Sequence, residues 1–162
     1  MRRFITVSIL FVLALNACNR VPAEYRRFLN LPLSKQHDAL KRLPFDKRID
    51  YYLAAMRYNE PPGVGLADDV AMEGKQALPA LLNRLREEKD EQTQVRIIRV
   101  FEFMHARYYK LRGETEVVEL VKRTTDNMKN SSCKAHGEAA LKFIETDQLP
   151  NVEDALKRIN SE

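Results

Sequence analysis

Apolar residues recur every three or four positions through most of this chain, and that spacing commits it to helices rather than strands. Ile49, Leu53 and Met56 fall on one side of a helical segment over 46–58, joined by Tyr52 or Ala55. Leu78, Leu81, Leu82 and Leu85 do the same over 74–89, with Pro79 near the start, where a missing N–H is least damaging. Over 92–110, Ile97, Phe101, Met104 and Tyr108 line one face, Ile98 and His105 flank it, and Val100 and Phe103 widen the arc. So broad an apolar surface predicts a central helix touched from several sides. Val117, Leu120, Val121 and Met128 mark a segment over 114–129, and Ala139, Ala140, Phe143 and Ile144 one that starts at Asn130 to Ser132 and runs to about 146. Only five glycines and no tryptophan interrupt this pattern, a composition that is neither β-rich nor disordered.

The breaks are as legible as the helices. Residues 59–65, Asn-Glu-Pro-Pro-Gly-Val-Gly, cannot continue a helix: two prolines remove donors and two glycines admit φ > 0. Ser34 is positioned to cap a short helix over 35–42, which Leu43-Pro44 ends. A short helix is expected over 66–73. Pro150-Asn151 opens a last one, with Val152, Leu156 and Ile159 facing inward. Short connections between helices imply antiparallel neighbours. The expectation is an all-α fold of antiparallel helical pairs, either a short solenoid or an irregular bundle.

The first seventeen residues follow different rules. Arg2 and Arg3 precede an unbroken apolar run over 4–15. Those 12 residues make a helix of about 18 Å, short of the roughly 30 Å of a hydrocarbon core, so they suit a signal h-region better than a permanent span. Cutting after Ala17 puts Leu15 at −3, a poor residue for an ordinary signal peptidase. Leu15-Asn16-Ala17-Cys18 instead resembles the lipobox of bacterial lipoproteins, although Asn16 departs from the small or β-branched residue usual there. A plain secreted protein and a retained anchor remain the alternatives. The resemblance implies that residues 1–17 are removed and that Cys18 becomes a lipidated N-terminus. It also implies, from Asn19 rather than Asp, the periplasmic face of an outer membrane. Residues 18–33 are then a lipidated tether and entry segment, and 34–162 a single all-helical domain.

A second resemblance lies in the mature chain. Residues 74–85, Gly-Lys-Gln-Ala-Leu-Pro-Ala-Leu-Leu-Asn-Arg-Leu, followed by the Asp90 turn and Gln94-Val95-Arg96, look like a HEAT-like repeat. Helix pairs beginning near 35, 75 and 114 have the spacing of about 40 residues such repeats use. Arg99 and Glu102 stand where that family has small alanines.

Charge gives little reason to expect nucleic acid. The chain carries 27 basic and 23 acidic residues, and without Arg2 and Arg3 the balance is 25 against 23. The excess is concentrated early: residues 18–58 hold nine basic and four acidic side chains, 59–162 sixteen and nineteen. A basic segment beside a lipid anchor can rest on anionic head groups.

Candidate chemistry is sparse. With Cys18 acylated, Cys133 has no disulfide partner, and stability must come from packing. Cys133 and His136 share a helix face at i, i+3, the start of a nucleophile or a metal site, but His37 and His105 lie in distant segments and two ligands are too few for zinc. A buried Cys133 beside a solvent-facing His136 is the plainer expectation, and His105 is expected in the core with one nitrogen satisfied. Asp68, Asp69 and Glu60 surround the Pro/Gly break, yet adjacent carboxylates on one helix point apart, and the first turn of a helix favours acidic residues in any case. Gly63-Val64-Gly65 lacks the glycine and lysine of a phosphate loop. No cofactor, metal or catalytic residue is assigned.

Tyrosines near arginines are the chemistry of protein interfaces, and Tyr51, Tyr58, Arg107, Tyr109 and Arg112 are the candidates for one. The functional expectation is a non-enzymatic lipoprotein, tied to the membrane through Cys18, that binds or scaffolds another envelope protein. An immunity-type inhibitor lipoprotein and a cell-envelope hydrolase are the alternatives.

Overall fold

The computed structural model describes residues 21–148, and these are all-helical. Eight α-helices follow one another: α1 Ala23–Leu29, α2 Leu33–Lys41, α3 Phe45–Tyr58, α4 Leu66–Ala71, α5 Leu78–Glu87, α6 Glu91–Arg107, α7 Thr115–Asp126 and α8 Ser131–Thr146. Among the described residues no helix is long and apolar enough to cross a membrane. Cys18 and the segment from Pro150 onward lie outside the described residues.

Proline sets the first three starts. Pro22, Pro32 and Pro44 each occupy the N-cap of the helix that follows, with φ of −54° in all three. A ring that fixes φ and resists the α region in the residue before it stops one helix and launches the next. Ser34 is therefore not the cap of α2: the helix starts at Leu33, two residues earlier than expected, and no side chain caps it. Part of the entry segment is helical too, since α1 forms and buries Phe28 in the core. Two of the later helices use side-chain caps. Asp90 accepts from Thr93 N–H and opens α6, and Asn130 accepts from Cys133 N–H and opens α8.

α4 is shorter than expected, ending at Ala71. A single 3₁₀ turn, Gly74–Ala77, then leads into α5. Gly74 has φ +57°, a conformation that excludes most side chains, so this corner needs glycine.

α6 is central, as its wide apolar arc predicts. It packs against α3, α4, α5 and α8, and Ile97, Ile98, Val100, Phe101 and Met104 are all buried. Tyr52 of α3 is buried as well, and its hydroxyl donates to the Arg96 carbonyl of α6 at 2.9 Å. Toward the C-terminal side α5 packs on α6 and α7 on α8, while α5 also meets α7 and α6 meets α8. Toward the N-terminal side α4 wedges between α2, α3 and α6. That wedge positions the surface described next.

Candidate functional surface

α2 and α4 lie side by side and expose two parallel strips. On α2, Leu33, His37 and Lys41 succeed one another at four-residue intervals, and on α4 the same interval joins Val64 (in the turn just before the helix), Asp68 and Met72. His37 bridges the two. Its Nδ1 lies 2.5 Å from Asp69 Oδ2, and its ring edge sits over Gly65, where an added Cβ would meet Cε1 at 3.6 Å. Asp69 is 4% exposed, and its other oxygen takes Lys41 Nζ at 3.4 Å. A buried carboxylate is thus matched by an imidazole and an ammonium, the pairing such a group needs.

The outer edge of the strip is closed by the end of α6. Arg107 reaches Asp68 Oδ1 at 3.3 Å and lies over the Phe103 ring, 5.5 Å from its centroid. Tyr108 stands beside the same carboxylate. Partial burial, then the bond to Asp68, raises its hydroxyl pKa above the ordinary tyrosine value.

Four large apolar side chains are left exposed among the described residues: Leu33 at 51%, Val64 at 37%, Met72 at 45% and Tyr108 at 43%. Leu33, Val64 and Met72 lie on this surface, and Tyr108 stands at its edge. Elsewhere the exposed faces of the helices are polar. Single exposed apolar residues mean little, but three on one pair of adjacent strips, with Tyr108 at their edge, form a patch.

The five interface candidates divide between two helices. Tyr51 is occupied internally: its hydroxyl donates to the Glu24 carbonyl at 3.2 Å, and its ring packs edge-on against Tyr25 and Phe28, so it fastens α1 to α3. Tyr58, at the end of α3, lies under Arg57. Arg107, Tyr109 and Arg112 gather at and just after the end of α6. Tyr109 donates to Glu114 and lies under Lys75; the Tyr109 bond, then Lys75, holds Glu114 below the usual carboxylate range. Arg112 is exposed. Of the five, only Arg107 belongs to the α2–α4 surface.

The other candidates find structural partners. Cys133 is buried, and burial pushes its thiol pKa up, away from the thiolate a nucleophile needs. His136 turns to Glu102 Oε2 at 3.1 Å. His105 is buried with both nitrogens engaged rather than one. Asp68 and Asp69 do fall in the first turn of α4, but both are tied in ion pairs. Glu60 is exposed in the loop. No group of three or more His, Cys, Asp or Glu among the described residues is arranged to hold a metal ion. A groove of about 360 Å³ runs between α5, α6 and α7, its lining including Leu85, Arg86, Glu88, Leu120, Arg123 and Thr124, with Glu88 the one carboxylate among the lining side chains.

The His37–Asp69 contact is not legible in the sequence, because 32 residues separate the two and no periodicity links them. Leu33 at i−4 from His37 was the available hint. No family model, curated protein or solved structure matches the chain.

Proposed function

We propose that the mature protein is a lipid-anchored, protein-binding module of the cell envelope, held to the membrane through Cys18 and docking a partner protein on the α2–α4 surface. One observation carries the docking: of the four large apolar side chains exposed among the described residues, Leu33, Val64 and Met72 lie on that surface and Tyr108 stands at its edge beside Asp68, among polar groups that already have partners. Binding there buries apolar area and strands no charge, the composition of an interface centre with its polar rim.

The anchor is supported by the sequence of residues 1–18. Several acyl chains at about 0.8 kcal/mol per buried CH₂ hold a protein far more firmly than one myristoyl chain. The contacts of α5 with α7 and of α6 with α8 support treating these helices as successive stacked pairs of the HEAT-like kind. Such frameworks present extended surfaces to proteins. Asn19 and the lipobox favour the periplasmic face of an outer membrane.

The test is cross-linking in intact envelopes followed by co-purification. The wild-type protein should retain a partner that Leu33→Asp and Met72→Asp lose, and Cys18→Ala should leave the membrane fraction and no longer incorporate palmitate. Equal partner recovery by wild type and both aspartate variants overturns the docking surface. Unchanged fractionation of Cys18→Ala overturns the anchor.

A further inference from the structure

We propose that the end of the domain where α1 starts, α2 finishes and α3 starts is a membrane-facing surface that rests on anionic lipid head groups, with α2 and its docking strip running away from the bilayer. This rests on the reading of Cys18 as the anchor.

The packing of the first three helices carries the first part. Gln36, near the start of α2, donates to the carbonyls of Leu29 and Leu31 at 3.3 and 2.9 Å and accepts from Asn59 Nδ2 at 3.0 Å. The end of α1, the start of α2 and the end of α3 are thereby gathered together. The three opposite termini gather at the other end. There Tyr51 of α3 donates to the Glu24 carbonyl in the first turn of α1 at 3.2 Å, and α2 turns into α3 through Leu43-Pro44. Two residues, Asn19 and Arg20, stand between Cys18 and Val21. Whatever path they take, Val21 lies within about 10 Å of Cys18, so this second end is the one a lipid anchor holds at the bilayer.

Charge carries the second. Arg26 folds back along α1 and donates from Nε to the Val21 carbonyl at 3.1 Å, which brings its guanidinium to the point where the chain enters the domain. Arg27 beside it is exposed, as are Arg42 at the C-cap of α2 and Lys47 in the first turns of α3. Lys47 lies one turn before Tyr51, on the strip of α3 that meets α1. Among the described residues none of these four cations has a carboxylate partner, whereas their neighbours Lys41, Arg48 and Asp50 are matched by Asp69, Glu73 and Arg84. Glu24 and Asp46 are the exposed acids at this end and leave the cations in excess. Residues 59–162 carry the opposite balance, sixteen basic against nineteen acidic. That asymmetry turns the basic end toward an anionic surface and the remainder away from it. Lipid phosphates suit three guanidinium groups, and the tether keeps them within reach at high effective concentration, an advantage no soluble acidic partner has. α2 then runs from Lys41 near the lipid to Leu33 about 12 Å further out, which leaves the docking strip open to a protein in the aqueous space.

The test uses the mature chain with Cys18→Ser, which cannot be acylated, and vesicles of phosphatidylcholine alone or mixed with phosphatidylglycerol. Co-flotation should show about tenfold more protein on the anionic vesicles, and the gain should vanish near 1 M salt, where the screening length is about 3 Å. Arg42→Glu/Lys47→Glu should abolish the gain. Arg42→Gln/Lys47→Gln, which brings no new charge into the corner, should lose most of it. Lys122→Glu/Arg123→Glu on α7 makes the same change in net charge and should alter the gain less than about twofold. Continued protection of the buried Cys133 thiol certifies the fold of each variant. Equal flotation on the two kinds of vesicle overturns the proposal, and so does an equal loss from the α7 pair, which would make the attraction one of net charge. If the gain is seen while the wild-type chain incorporates no palmitate in cells, the head-group surface stands and the anchor reading falls. If palmitate is incorporated and there is no gain, the anchor stands and the head-group surface falls.

Discussion

His105 Nδ1 accepts the backbone N–H of Leu111 at 3.0 Å, while Nε2 faces Asp147 Oδ1 at 2.9 Å. An acceptor at Nδ1 carries no proton, so the proton is on Nε2 and the ring is neutral. Leu111 and His105 are both buried, and the bond closes the loop that leads from α6 to α7. Burial lowers the His105 pKa, and the Asp147 bond opposes this only in part.

The sign of the pH effect follows. Below the ordinary imidazole value of about 6.5 the unfolded chain takes up a proton that the folded chain refuses, so stability falls as the pH drops and levels off once the folded value is passed. His105→Phe removes this linkage. It also strands the Leu111 N–H, which lowers stability by about 1–3 kcal/mol at pH 7.5. Urea unfolding at pH 7.5 and 5.5 should show the gap between wild type and variant narrowing at the lower pH. A gap that stays constant would place the proton differently.

Gly137 brings α8 onto α7. A Cβ there would stand 2.3 Å from Thr125 Oγ1 and 2.9 Å from its Cγ2. That hydroxyl is itself buried without a partner. Gly137→Ala should therefore destabilise by about 1–3 kcal/mol despite the better helix propensity of alanine. Thr125→Ala removes both clashing atoms and an unsatisfied oxygen, so the double variant should recover most of the loss. Chemical denaturation of the four members of the cycle measures the coupling, and simple additivity would refute a direct contact.

Periodicity revealed the helices because each buries one face, and it revealed the rank of α6 because four neighbours demand a wide apolar arc. It also read the Pro/Gly break at 59–65 and the turns at Asp90 and Asn130. What it missed is tertiary. Leu33 looks like an ordinary apolar start to a helix, and only the packing of α2 on α4 leaves it exposed. Asp69 looks like one of a pair of first-turn acids, and only the approach of His37 and Lys41 singles it out. α1 hides within the entry segment because seven residues are too few to display a period.

Cys133 should behave as a packing residue. It is buried, and burial together with the charges of Glu91 and Asp90 raises its thiol pKa. An aromatic disulfide reagent should leave it unmodified at pH 8 in the folded protein and titrate one thiol per Cys18→Ser chain in denaturant. Cys133→Ser should cost about 1–3 kcal/mol, since a hydroxyl in that site is desolvated without a partner. Rapid labelling of the native thiol would return Cys133 to the list of reactive groups.

Glu91 ties two helix starts together. From the first turn of α6 its carboxylate accepts the N–H of Lys129 at 2.8 Å and of Asn130 at 2.9 Å, just ahead of α8. These two backbone bonds hold its pKa below the ordinary glutamate value. A depressed carboxylate contributes stability that is fully present above the unfolded value of about 4.3 and is lost as the pH falls through the folded one. Glu91→Gln keeps one acceptor oxygen and loses the charge, so it should melt at a lower temperature than wild type at pH 7. The difference should shrink as the pH falls below the unfolded value and vanish once it has passed the depressed folded one, where the native carboxylate is protonated too. Amide exchange at Lys129 and Asn130 should speed up in the variant while that of α6 is unchanged. A melting difference that persists undiminished in acid would mean that the glutamate acts through packing rather than through its charge.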